Sequence, residues 1–213
     1  MPTFIISIDG PDFCGKTTIA NLLLETLRQR YKENGIFFKR TNVPSNLITG
    51  SFTKILRNSK DDVASEVFAL CYALDHLHHY NKIIKPLKET KEKYIVVMER
   101  SLLSTYIYQG IIGNLDLKWM REINKFCGTK PDVTIILKVD TEELVKRMRM
   151  EKRGFDKFEL EEHVKRQVEV YYNLPEDLKR EFNVVYVDAN KDPSEVAEEI
   201  VNEIKSELDR FLA

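Results

Sequence analysis

The 213-residue chain predicts an α/β fold of three layers, a five-stranded parallel sheet covered by helices on both faces. Three observations carry that expectation. Five short apolar runs, at 4–8, 36–40, 94–98, 133–137 and 183–187, have strand length and β-branched or aromatic content. Helical periodicity fills the intervals, as parallel strands joined by crossover helices require. The first run leads directly into Gly10-Pro11-Asp12-Phe13-Cys14-Gly15-Lys16-Thr17, which satisfies G-x-x-x-x-G-K-[ST].

The elements follow in order. After the glycine motif, Ile19, Leu22, Leu23 and Leu27 recur at helical spacing, and Asn34-Gly35 suits the end of that helix. Residues 36–40 read as the second strand, and 41–49, with Pro44 and two asparagines, as a loop. Ser59-Lys60-Asp61-Asp62 offers helix caps, and 63–85 reads as one long helix ending at Pro86. Strands at 94–98, 133–137 and 183–187 follow, and 194–212 closes the chain as one amphipathic helix with Val196, Ile200, Val201, Ile204 and Leu208 on its apolar face. No repeat, low-complexity stretch or linker interrupts this order, so 1–213 reads as a single domain.

Composition bounds the partners. A formal charge of −1 supplies no electrostatic pull toward nucleic acid or a membrane surface. No apolar run reaches membrane-spanning length, and the N-terminus lacks the layout of a signal peptide. Cys14, Cys71 and Cys127 are odd in number and scattered, which fits a reducing cytoplasm better than a disulfide framework.

The chemistry starts at the glycine motif. Its glycines let backbone N–H groups curl around phosphate oxygens at a helix N-terminus, so residues 10–18, from Gly10 through Pro11, Asp12, Phe13, Cys14, Gly15, Lys16 and Thr17 to Thr18, are expected to bind ATP phosphates. Lys16 is expected to reach the β/γ-phosphates and the Thr17 hydroxyl to ligate Mg²⁺. Glu99 ends the third strand as the second expected metal ligand, and Arg100 places a fixed cation beside it. That pairing suits a second phosphorylated substrate better than a lone water. A guanine-reading N-K-x-D is missing, because Asn190-Lys191-Asp192 lacks the spacer. Residues 148–158, rich in Arg149, Lys152, Arg153 and Lys157 around Gly154, read as a lid that excludes water and brings an arginine to the transferring group.

These blocks, in this order, resemble the thymidylate kinase family of nucleoside monophosphate kinases along nearly the whole chain. The resemblance lies in I-D-G-P-D-F-C-G-K-T-T, in Ile83-Ile84-Lys85-Pro86, in Glu99-Arg100-Ser101-Leu102-Leu103-Ser104 running on to Tyr108-Gln109-Gly110, in Lys130-Pro131-Asp132-Val133-Thr134, in the lid block Arg153-Gly154 with Asp156-Lys157-Phe158-Glu159, and in Val187-Asp188-Ala189. It implies a P-loop kinase fold, ATP with Mg²⁺, dTMP as acceptor, and a homodimer. By position it implies that Asp12 orients the acceptor sugar, Arg100 holds the 5′-phosphate, Ser104 and Gln109 line the base and sugar pocket, Tyr108 crowds the 2′ position and Tyr72 stacks on the base. Lys16, Arg100 and Arg153 are the expected catalytic cations.

The chain departs from the family pattern at Glu99, where an aspartate is usual, in the loop Thr41-Asn42-Val43-Pro44-Ser45, and at Lys54, which only loosely matches an arginine. His76 stands where the family arginine reads the thymine carbonyl, and is expected to serve the base pocket. With His79 it shares a helix face, but no third metal ligand is evident in sequence. The leading expectation is conversion of dTMP to dTDP. Its rivals are a kinase for another nucleoside monophosphate or a deoxynucleoside, and a regulatory ATPase or nucleotide switch.

Overall fold

β1 (Thr3–Asp9) is buried along its whole length because it lies at the centre of the sheet. The computed structural model describes residues 2–60, 62–150 and 157–213. β1 is flanked by β3 (Tyr94–Glu99) on one side and β4 (Val133–Lys138) on the other, while β2 (Phe37–Asn42) and β5 (Val184–Asp188) form the edges. Every pairing is parallel, in the order β2-β3-β1-β4-β5. The central strands are apolar on both faces and the edge strands are only partly buried, as a doubly covered sheet demands.

The two-residue period of β1 sorts its side chains. Phe4, Ile6 and Ile8 face Leu23 and Leu27 of α1 (Lys16–Tyr31) and Val196 and Ile200 of a C-terminal helix. Ile5 faces the opposite layer with Val96, Met98 and Ile84. Ser7 and Asp9 share the face of Ile5, both fully buried, so a polar pair enters the second layer at the carboxyl end of the strand.

Several helices differ from expectation. α2 (Ile48–Arg57) occupies the end of the predicted loop and continues beyond it. The long helix is divided: α3 (Ser65–His79) passes into a wide π turn, Tyr80–Ile84, before α4 (Lys85–Glu89). Pro86 sits in the first turn of α4, where its missing N–H costs nothing, so it opens a helix instead of stopping one. α5 (Leu102–Thr105), a second π segment at Tyr106–Ile112, and α6 (Leu117–Asn124) follow β3. α7 (Thr141–Met150), α8 (Lys157–Tyr172) and α9 (Glu176–Glu181) lie between β4 and β5. The closing helix breaks at Ile204 into α10 (Pro193–Glu203) and α11 (Lys205–Leu212). No helix among the described residues is long and apolar enough to cross a membrane.

Candidate active site

The loop between β1 and α1 is shaped by three positive φ values, at Gly10 (144°), Phe13 (66°) and Gly15 (89°). Gly10 has no room for a side chain, since a Cβ there would lie 2.9 Å from Cys14 Sγ and 3.2 Å from Leu137 O. Phe13 adopts a left-handed conformation that L-residues resist, and packs its ring partly against the core. Cys14 is buried beneath the loop, and Thr18 is exposed on the first turn of α1. Lys16 is buried, and its Nζ donates to Pro11 O at 2.5 Å and Gly10 O at 3.1 Å. The amine therefore sits inside the concavity where phosphate oxygens are expected.

Thr17 Oγ1 donates to Glu99 Oε1 at 2.8 Å, and Arg40 Nη2 donates to Glu99 Oε2 at 2.6 Å. The parallel β1–β3 register, Ile8 opposite Glu99, brings the end of β3 beside the loop. Two oxygen donors of different chains of reach, a hydroxyl and a carboxylate, thus converge beside the loop. This set fits Mg²⁺, which takes one or two protein oxygens and completes its shell with phosphates and water.

Past Glu99, Arg100 takes φ 64°, which turns its guanidinium back over the loop onto Asp12 Oδ1. Its Nη1 also donates to Tyr108 OH at 3.3 Å, and the guanidinium lies 5.2 Å from the Tyr108 ring centroid. Burial pushes the Asp12 carboxyl up, but Arg100 and then Lys16 outweigh it and hold the group well below the usual carboxylate range. Desolvation opposes the charge on Arg100, yet Tyr108 and Asp12 keep it firmly protonated.

Beneath this pair Asp9 gathers three hydroxyls: Ser104 Oγ at 2.5 Å, Ser101 Oγ at 2.9 Å and Ser7 Oγ at 3.0 Å. Ser104 Oγ is also 2.8 Å from Tyr171 OH. Asp9 thereby fixes the start of α5, and with it the wall that carries Ser104 and Thr105. Ser104 is mostly buried and held by Asp9, yet its edge still lines the cleft.

A cleft opens from Asp12 and Arg100. Tyr72, Ser104, Tyr108 and Gln109, all expected from the sequence, line it. The wide π segment presents Tyr108 and Gln109 to one side, as such segments often do at functional sites. Phe68, Arg57, Thr105 and His163 also line the cleft and escaped the sequence reading. Phe68 is one helical turn before Tyr72, a spacing that could have signalled it. Arg57 and His163 gave no such signal, because their elements reach the cleft only through the tertiary fold.

Lys54 does not line the cleft, and its Nζ is spent on Ser45 O at 3.0 Å and Asn46 Oδ1 at 3.2 Å. His76 is also absent from the wall. Its ring is buried, and its Nε2 is 2.9 Å from Oγ1 of Thr105, the residue that does face the cleft. Tyr72 and His76 share one face of α3, but Thr105 of α5 stands between His76 and the cleft, so only Tyr72 reaches it. Burial first, opposed by Asp75 and reinforced by His79, pushes the His76 pKa down to about 4, so the ring is neutral near pH 7. His79 Nε2 is 2.6 Å from Thr41 Oγ1. Arg153 and the centre of the expected lid lie outside the described residues.

Two residues that flank the lid segment in sequence also reach the loop. Gln167, fully buried on α8, accepts from Asp12 N at 2.7 Å and donates to Asp12 Oδ2 at 3.0 Å. Arg147 Nη1 of α7 donates to Phe13 O at 3.3 Å. A second cleft, lined by Val139, Asp140, Thr141, Tyr172 and Asn190, lies at the carboxyl ends of β4 and β5, where open α/β sheets bind ligands.

The family model described as thymidylate kinase matches residues 8–200. A Saccharolobus solfataricus protein described as "Probable thymidylate kinase 1" is 33% identical over 205 residues, covering 96% of this chain and 98% of that protein. A Methanocaldococcus jannaschii protein described as "Probable thymidylate kinase" is 32% identical, covering 93% and 92%. The crystal structure of thymidylate kinase from Ehrlichia chaffeensis shares the fold with a TM-score of 0.67 at 23% identity, covering 96% of this chain and all of that one. With a phosphate loop, a carboxylate-bearing β3 and a family match over most of its length, the chain belongs to the thymidylate kinase family.

Proposed function

We propose that this chain transfers the γ-phosphoryl group of ATP to the 5′-phosphate of dTMP, yielding dTDP and ADP. The observation that carries this reading is the Asp12–Arg100 pair, which joins the phosphate loop directly to an aromatic-walled cleft. A donor loop alone serves many reactions. A cation shared between that loop and an aromatic-walled cleft serves transfer between two bound molecules.

The division of labour follows from the geometry. Lys16, withdrawn from the carbonyls of Gly10 and Pro11, binds the β- and γ-phosphates. Arg100 binds the acceptor phosphate, and Asp12, ionised at neutral pH, accepts from the sugar hydroxyl. Tyr72 and Phe68 offer rings to the base, and Tyr108 closes the sugar side. Thr17 and Glu99 would hold Mg²⁺, which when bound would supply charge neutralisation at the transferring phosphoryl group. The acceptor is already an anion, so positioning and charge stabilisation suffice without a strong general base. Arg153 is assigned as the lid cation, on the sequence reading alone. The second cleft is assigned to the donor nucleoside.

The chain acts as a single domain, and two copies are proposed to pair through adjacent helices. Phe52 and Ile55 of α2 and Leu70 and Leu74 of α3 leave apolar side chains more than half exposed, which supports that pairing. The cytoplasm is the assigned location, supported by three free cysteines.

The test is ADP release measured across nucleoside monophosphates and nucleosides. Release that requires dTMP, with dTDP as product, is the expected result. ADP release indifferent to any added acceptor favours a nucleotide switch and overturns the reading. A greater kcat/KM for another acceptor reassigns the substrate.

A further inference from the structure

Glu99 has two carboxylate oxygens and the structure divides them. Oε1 accepts from Thr17 at 2.8 Å and Oε2 accepts from Arg40 at 2.6 Å. Arg40 stands on edge strand β2, on the same face as Asn42, which pairs in register with Glu99. Neither side chain of the ion pair is freely solvated, at 29% exposed for Arg40 and 20% for Glu99. Arg40 Nε is buried without a partner, and Glu99 is the one carboxylate to which the guanidinium is salt-bridged among the described residues. A partly buried cation with spare donors is thus fixed to the back of a carboxylate whose front edge, with Thr17, faces the phosphate loop.

We propose that Arg40, paired with Oε2 of Glu99 while Oε1 meets Thr17, controls cation entry at the metal site through its charge. That charge occupies the field that a bare divalent cation would need, so the cation enters with the nucleotide. The proposal rests on Thr17 and Glu99 as the metal's protein ligands. The phosphates of a nucleotide bring enough negative charge to outweigh one guanidinium, whereas Glu99 alone, already paired with Arg40, does not. Glu99 is long enough to reach Arg40 and Thr17 at once.

The test is Mn²⁺ binding, followed by electron paramagnetic resonance, with and without a non-hydrolysable ATP analogue. Removing one positive charge beside a divalent cation, even in a water-like dielectric, is worth about tenfold in affinity. Arg40→Gln, and Arg40→Thr as a second neutral variant suited to an edge strand, are expected to bind Mn²⁺ without nucleotide about tenfold more tightly than the native chain. Arg40→Lys retains the charge and is expected to stay at native affinity. Adding Glu99→Gln to Arg40→Gln is expected to erase the gain. Native affinity in both neutral variants would reduce the Arg40–Glu99 pair to a strand salt bridge and overturn the proposal. Separately, if Thr17→Ala and Glu99→Gln leave Mn²⁺ binding with the analogue unchanged, the ligand assignment fails and takes this inference with it. Failure of the neutral variants alone leaves that assignment standing.

Discussion

Gln167 and Asp12, 155 residues apart, are joined by two hydrogen bonds, one from the Asp12 backbone at 2.7 Å and one to its carboxylate at 3.0 Å. Gln167 Oε1 also accepts from Tyr108 OH at 3.0 Å. One buried amide therefore ties the helix after the lid segment to the phosphate loop and to the sugar side of the cleft. It also fixes which way the Asp12 carboxylate faces Arg100.

Gln167→Leu should lower kcat by about 10- to 100-fold and destabilise the fold by about 1–3 kcal/mol, since it strips partners from a carboxylate and from buried groups. Gln167→Glu should cost more, because a second carboxylate would face Asp12. Steady-state kinetics and urea unfolding of both variants check this. Full activity in a folded Gln167→Leu protein would make the amide a packing feature only.

Stability should fall as pH drops from about 6.5 to about 4. His76 and His79 have ordinary values of 6.5 and folded values of about 4, both pushed down first by burial. Over that window the unfolded chain binds more protons than the folded one, so unfolding free energy rises with pH and the contribution is complete above 6.5. The shift at His76 alone is worth about 3 kcal/mol. Urea midpoints between pH 7.5 and 4.5 measure it, and His76→Asn should flatten the slope. Asp12, held low, adds its own loss only below its ordinary value of 3.8.

Tyr108→Ala should admit the ribose form of the substrate more than it weakens the deoxy form, because the ring narrows the sugar side of the cleft. Tyr108→Phe keeps the ring but removes the hydroxyl shared by Arg100 and Gln167, and should lower kcat while leaving sugar discrimination intact. The ratio of kcat/KM for the two sugars separates ring from hydroxyl. An unchanged ratio in Tyr108→Ala removes the crowding role.

Base selectivity should answer to Thr105 directly and to His76 through it. Thr105→Val removes the hydroxyl that His76 meets behind the cleft wall and should narrow the preference for dTMP over dCMP by about 10-fold, the order of one hydrogen bond. His76→Gln, which can still bond Thr105, should change the ratio less than His76→Leu. Equal ratios in all four proteins would exclude base reading by this pair.

Much of the phosphate loop was legible because its chemistry is local. Gly10, Gly15, Lys16 and Thr17 are close in sequence, and a strand running into a helix is enough to curl them. Glu99 and Arg100 were legible for a similar reason, as polar residues ending an apolar strand. His76 shows the limit. Its spacing from Tyr72 is right for one helix face, yet α5 packs between it and the cleft, so Thr105 takes the wall and the imidazole is sealed behind it. The α2 helix was hidden by the turn-forming residues before it, and the closing helix gave no sign of its break at Ile204.

By itself the sequence determined the parallel α/β order, the phosphate loop and the carboxylate that ends β3, because apolar periodicity and glycine placement act over short spans of chain. Only the tertiary structure decided that Arg40 would hold the back of Glu99, that Gln167 would clamp Asp12, and that Arg57 and His163 would complete the cleft. Those contacts join elements up to 155 residues apart, and their geometry is set by strand order, sheet register and helix packing, which no local pattern encodes.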